Sequence, residues 1–252
     1  MAHIDVVSER EFDDPVLIEG LPGVGLVGKI VADHLVETLD MELYATVHCD
    51  ALPPAAAYGD GDRAVTTPVR LYAAPAEDLL VLQSDVPISP SAAEEFAGCI
   101  EGWFREEGVV PLYIAGMGRA GDANEDGEAS AHPSLCGVSV GDGAALLDEI
   151  GVPEPESAGL VSGPTGALLA HALETDLAAV GLIAAVDPQF PDPAAARVVL
   201  EGAVEPISGI DVDVETLDEQ AERIQQAKAQ LAAQIRPQDE NVTQAQALRM
   251  YQ

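Results

Sequence analysis

Apolar positions along the chain fall into short runs that alternate with stripes at helical spacing. Val16 to Glu19 is a brief apolar run stopped by Gly20, and Val24 to Leu39 repeats apolar residues through Leu26, Ile30, Leu35 and Leu39. This reads as strand, turn, helix. Leu43 to His48, Val65 to Ala73 and Leu79 to Gln83 predict further strands, and Pro90 to Glu107 predicts a helix ended by Gly108. Val109 to Ala115 predicts a buried strand. From Gly116 to Gly143 the composition turns to Gly, Asp, Glu and Ser, with GDANEDGEAS at 121–130, and predicts a long acidic surface excursion. Periodicity then predicts a helix over Gly143 to Ile150, a strand over Ala158 to Val161, a helix over Thr165 to Glu174, a strand over Val180 to Val186 and a helix over Ala194 to Val204. Strands alternating with helices point to an α/β fold, a mainly parallel sheet with flanking helices, over residues 1–212.

Beyond Ile210 the pattern changes. Val214, Leu217, Ala221, Ile224, Lys228, Leu231 and Ile235 alternate steps of three and four, capped by Asp213 or Thr216. This seam predicts a helix over 213–236 that packs either on its own domain or against another subunit. Pro237 ends it, and the polar stretch Gln238 to Arg249 reads as a flexible leader in a tail over 237–252.

The 44 acidic against 11 basic residues give a formal charge of -33, with the acids dispersed along the chain. Self-repulsion of that size suits a salt-rich environment, where the Debye length shrinks to about 3 Å near 1 M. Nucleic acid is not an expected partner, because phosphates call for clustered Lys and Arg. Cys49, Cys99 and Cys136 are odd in number and outside any C-x-x-C, which predicts reduced thiols. With no leader pattern and no apolar stretch of spanning length, the expectation is a cytoplasmic protein without a membrane partner.

GLPGVGLVGK carries the densest candidate chemistry. Gly23, Gly25 and Gly28 satisfy G-x-G-x-x-G, and Gly23 to Lys29 nearly completes a P-loop. The place after Lys29 is Ile30, however, and isoleucine has no hydroxyl for magnesium. Asp50, the nearest acid for a ribose, follows His48-Cys49 instead of an apolar run. The turn therefore reads either as close helix–sheet packing or as a phosphate site built on Gly23, Gly25, Gly28 and Lys29. His3, His34, His48, His132 and His171 show no metal-binding spacing, so no metal or cofactor is expected. Ser162 lacks a G-x-S-x-G frame, and Asp85, Asp187 and Asp192 read as caps as readily as catalytic acids. No catalytic set emerges.

Three stretches in order, IEGLPGVGLVGKIVADHLVETL at Ile18 to Leu39, GLVSGPTGALLAHAL at Gly159 to Leu173 and FPDPAAARVVLEGAV at Phe190 to Val204, make the chain similar to the PAC2 family of proteasome assembly chaperones. The resemblance implies an α/β fold like that of nucleoside phosphorylases, without a recognised active site. It also implies ATP-independent engagement of the proteasome α-ring by members that end in hydrophobic-Tyr-any. Here those residues are Met250-Tyr251-Gln252. By that resemblance Tyr251 enters a pocket between adjacent α-subunits, Met250 packs beside it, and the Gln252 carboxylate meets a pocket lysine. The expected function is a non-enzymatic assembly chaperone or 20S core-particle adaptor acting as a homo-oligomer. The alternative is an enzyme or binding protein for a nucleoside or phosphorylated metabolite at the Gly-rich turn.

Overall fold

The computed structural model describes residues 3–8, 10–50, 52–59, 63–118, 133–224 and 226. Met250, Tyr251 and Gln252, the acidic stretch 121–130 and the seam residues Lys228, Leu231 and Ile235 lie outside them. An eight-stranded sheet organises the rest. Its strands are β1 (His3–Val6), β2 (Val16–Gly20), β3 (Glu42–His48), β6 (Val69–Ala74), β7 (Leu79–Ser84), β8 (Val110–Gly118), β9 (Leu135–Val140) and β10 (Ala179–Val186). They run in the order β1-β3-β6-β7-β2-β8-β10-β9, and β4 (Ala57–Tyr58) pairs with β5 (Val65–Thr66) in a separate ribbon. The central strands β7, β2, β8 and β10 are mutually parallel. Antiparallel β6, β3 and β1 extend one flank and β9 the other.

Central strands are buried on both faces, which is why they read as continuous apolar runs. Their side chains alternate between two cores. Ile18, Val81, Leu112 and Ile114 face α1 (Val27–Thr38) and α5 (Pro193–Val199), meeting Val31, Leu35, Ala196 and Val199. Leu17, Leu80, Leu82 and Tyr113 face α2 (Ala93–Glu106) and α4 (Gly163–Thr175), meeting Phe96, Ile100, Phe104 and Leu168. The result is three layers, helix–sheet–helix.

Several sequence expectations change. The run Val65 to Ala73 breaks at Thr67-Pro68 into β5 and β6, because proline cannot donate to a ladder. Both ends of the stretch Gly116 to Gly143 differ from the predicted excursion: β8 continues to Gly118, and Leu135–Val140 forms β9, which pairs with β10. Ala158 to Val161 is not a strand, and its Leu160 is 92% exposed. α3 (Gly143–Ile150) falls where periodicity places it, closed by Gly151 at φ 73. The helix after Pro193 passes through a π-helical stretch, Leu200–Val204, into α6 (Glu205–Ser208). Pro206 there has no N–H to give the preceding turn. β1 has no counterpart among the predicted strands: HIDV is a four-residue segment in which only Ile4 is partly covered.

A further helical stretch occupies 215–224. Leu217 is buried in the α1–α5 core and Val214 packs against it, so the start of the heptad seam closes on its own domain. The cysteine expectation also fails in part. Cys49 and Cys99 form a disulfide with a Cα–Cα distance of 6.4 Å, tying the chain after β3 to α2, while Cys136 is free. The pair lies 50 residues apart and shows no local motif, and its oxidation removes the thiol-based argument for a reducing compartment.

Candidate functional site

β2 leads into α1 on one face of the sheet, and β7 leads into α2 on the other. Their adjacent carboxyl ends form the topological switch point at which open α/β sheets bind ligands. The Gly-rich turn leaves β2 there. It does not start the helix at Val24, as periodicity suggests. A single 3-10 turn, Val24–Leu26, comes first, with Gly25 at φ 67 and Leu26 at φ 53, and regular helix begins at Val27. Left-handed geometry is costly for leucine, and the chain tolerates it because the turn is held on several sides.

Packing accounts for most of the glycines. A Cβ on Gly20 would stand 2.2 Å from that of Ala32, and one on Gly28 would stand 3.1 Å from the Glu19 carbonyl oxygen, so both permit α1 to approach β2 closely. Gly25 abuts Val186 of β10, where a Cβ would meet another Cβ at 2.9 Å. Gly116 of β8 receives the Val24 carbonyl, 2.1 Å from where its own Cβ would be. The Gly25 carbonyl accepts from Asp192 N at 2.9 Å. Only around Gly23, of these five, is the space open.

Lys29 is likewise engaged. Its Nζ donates to Asp33 Oδ1 at 2.7 Å and lies 3.4 Å from Asp85 Oδ1. Arg70 Nη2 donates to Asp85 Oδ2 at 2.6 Å and to Gln83 Oε1 at 2.9 Å, and Gln83 Nε2 donates to Asp33 Oδ1 at 2.7 Å. Two cations and two carboxylates thus close into a network at the end of β7, with no net positive charge for a phosphate. Asp85 belongs to this network. Asp192 caps α5 by accepting from Ala195 N at 3.1 Å, and Asp187 accepts from Gln189 N at 2.8 Å. Ser162 stands at the N-cap of α4 in extended backbone. The acids and the serine are accounted for by ion pairing, capping and turn geometry.

Two buried carboxyl groups were not legible in the sequence. β2 and β8 pair only as far as Ile18 and Leu112, and beyond that rung the Glu19 side chain bridges them. Its Oε2 accepts from Ile114 N at 2.9 Å and Thr165 Oγ1 at 3.4 Å, and its Oε1 accepts from Leu21 N at 2.9 Å. Burial pushes Glu19 up to about 7, against these hydrogen bonds, which favour the charged form. Glu101 of α2 accepts from Tyr113 Oη and lies 2.7 Å from His171 Nδ1 of α4. Burial raises Glu101 as well, while Tyr113 and His171 oppose the rise. Each acid joins elements distant in sequence, so no local spacing could reveal its partners. A groove of about 420 Å³ lies elsewhere, between α1 and 215–224, lined by Ile30, His34, Glu37, Thr216, Gln220 and Arg223.

Among the described residues, no helix is long and apolar enough to cross a membrane. A protein-family model, the PAC2 family, matches residues 17–232. An uncharacterised protein of Methanocaldococcus jannaschii is 27% identical over 228 residues, 90% of this chain and 89% of that one. Among solved structures, Pyrococcus furiosus PbaA, described as an archaeal homolog of proteasome-assembly chaperone, superposes with a TM-score of 0.74 at 26% identity, covering 99% of both chains. P. furiosus PbaB, described as an archaeal proteasome activator, shares the fold with a TM-score of 0.75 at 22% identity, covering 92% of this chain and 98% of that one.

Proposed function

The chain belongs to the PAC2 family, and from that premise we propose that it is an ATP-independent proteasome assembly chaperone or 20S core-particle adaptor whose C-terminal tail binds the α-ring. The observation that carries the reading is the joining of two features in one chain. One is a body that superposes on the PbaA chaperone homolog along nearly its whole length. The other is the sequence Met250-Tyr251-Gln252. The state of the Gly-rich turn supports the same side, since its lysine is paired and most of its glycines serve packing.

The tail chemistry suits docking. Tyrosine combines a large apolar face with a polar tip at small rotamer cost, and a terminal carboxylate forms a charge-assisted pair with a lysine. A single tail of three residues binds weakly. A homo-oligomer that presents several tails gains by effective concentration, about 100-fold or more where each tail reaches its own pocket. High salt weakens the carboxylate pairing and leaves the Tyr251 and Met250 contacts as the larger share.

The test is capture of purified 20S core and of free α-subunits by the full chain, by a chain lacking 250–252, and by Tyr251→Ala. Loss of a buried tyrosine anchor worth about 2 kcal/mol reduces affinity roughly 30-fold per site. Equal capture by all three proteins, or no capture by the full chain, refutes the reading.

A further inference from the structure

At the far edge of the sheet, strand pairing gathers three side chains that the sequence holds apart. The antiparallel register of β1 and β3 sets His3 opposite His48 and Asp5 opposite Thr46. Strand alternation puts all four on one face, while Ile4 packs into the α2–α4 core from the other. His3 Nε2 lies 3.4 Å and His48 Nε2 lies 3.5 Å from Asp5 Oδ2. One ligand atom from each residue can be drawn within 4.8 Å of the others.

Those separations carry information. A tetrahedral ion with bonds of about 2.0–2.1 Å spaces its ligand atoms by roughly 3.3–3.4 Å. The His3 distance falls in that range and the His48 distance lies just beyond it. The two rings are stacked, with centroids 4.7 Å apart and planes within 4°, so their in-plane lone pairs run side by side. Turning them toward a shared ion meets little packing resistance, because the side chains are 53% and 41% exposed. Thr46 Oγ1, 3.2 Å from His48 Nε2, is the polar neighbour on that face.

We propose that His3, Asp5 and His48 form a binding site for a divalent transition ion of the zinc class, with water completing the coordination. Two imidazoles and a single carboxylate favour such an ion over Mg²⁺ or Ca²⁺, which take oxygen ligands throughout. The site clips a four-residue edge strand to its neighbour. Among the described residues β1 pairs only with β3, so an ion held by both strands stabilises the docked edge through binding linkage.

The experiment titrates the full chain with Zn²⁺ in excess Mg²⁺, which saturates the dispersed surface acids, and repeats the titration with Co²⁺ to read its ligand-field spectrum. One Zn²⁺ per chain, an imidazole-type Co²⁺ spectrum and Zn²⁺-dependent slowing of amide exchange at Ile4 and Val47 are expected. His3→Ala and His48→Ala each weaken Zn²⁺ by more than the roughly 10–100-fold typical of losing an outer-shell partner. Absence of Zn²⁺ binding under excess Mg²⁺ overturns the proposal. So does an isotherm unchanged in both variants, which assigns the ion to other residues.

Discussion

Replacing Gly116 by alanine measures how tightly the Gly-rich turn is clasped. An added Cβ stands 2.1 Å from the Val24 carbonyl oxygen, 2.9 Å from its carbon and 3.2 Å from Val186 Cγ2. Carbon and carbonyl oxygen approach no closer than about 3.3 Å without strain, so strand or turn must move by roughly 1 Å. Neither moves freely. Gly116 is in register with Ala184 of β10, and the turn is anchored where the Gly25 carbonyl accepts from Asp192 N. Overpacking of this kind costs about 1–3 kcal/mol, and contact with backbone places Gly116→Ala near the upper end, about 3 kcal/mol. The control is Gly23→Ala, where nothing lies within 4 Å of the new methyl and φ is −132°. That substitution stabilises by about 0.4–1 kcal/mol through the unfolded chain. The assay is urea unfolding of both variants and the parent at one fixed high salt concentration, with a thermal scan beside it. Gly116→Ala lowers the melting temperature by about 6–12 °C at the usual 2–4 °C per kcal/mol for a chain of this size. A Gly116→Ala midpoint within about 1 kcal/mol of the parent refutes the packing account, as does an equal loss in Gly23→Ala.

Two further outcomes follow from buried groups. Glu19 is raised from 4.5 to about 7 on folding, so the folded state binds its proton more tightly. Its contribution is therefore fully present below pH 4.5 and is lost as pH rises through about 7, a change of about 3 kcal/mol. Denaturation midpoints from pH 4.5 to 8 should show this slope in the parent and not in Glu19→Gln; parallel curves sink the assignment. Leu217→Ala should cost about 2–4 kcal/mol with the oligomeric mass unchanged, because Leu217 is 1% exposed within its own domain. An unchanged midpoint with altered mass, by sedimentation, would move that contact to a subunit interface.

Where burial governs, the sequence was readable. The central strands and α3 follow apolar periodicity because both sheet faces are covered and Gly151 supplies a left-handed stop. Edges were harder. β1 alternates polar residues on an exposed face, and β9 is introduced by acidic and small residues whose composition outweighs LCGVSV. Leu160 shows the reverse failure, apolar in sequence yet exposed. At the Gly-rich turn, the motif marked an unusual backbone but did not distinguish packing from binding. That distinction lies in Val24, Val186, Asp33 and Asp85: Asp33 meets Lys29 one helical turn on, while tertiary contacts set Val186 beside the turn and Asp85 beside its lysine. The Cys49–Cys99 bond and the His3–His48 pair are illegible in the sequence for the same reason: each is defined by register or layer packing across more than forty residues.

The carboxylate of Glu19 gives this fold a latent receptor. Its two oxygens occupy the position between β2 and β8 where the N–H groups of Leu21 and Ile114 converge, with the Thr165 hydroxyl at the side. The protein thus supplies, from within, the acceptor oxygens that these donors hold. Trimming that side chain to alanine would vacate a niche lined by oriented donors and sized for formate or acetate. The fold therefore keeps, beneath one side chain, a starting point from which small-molecule recognition could be evolved.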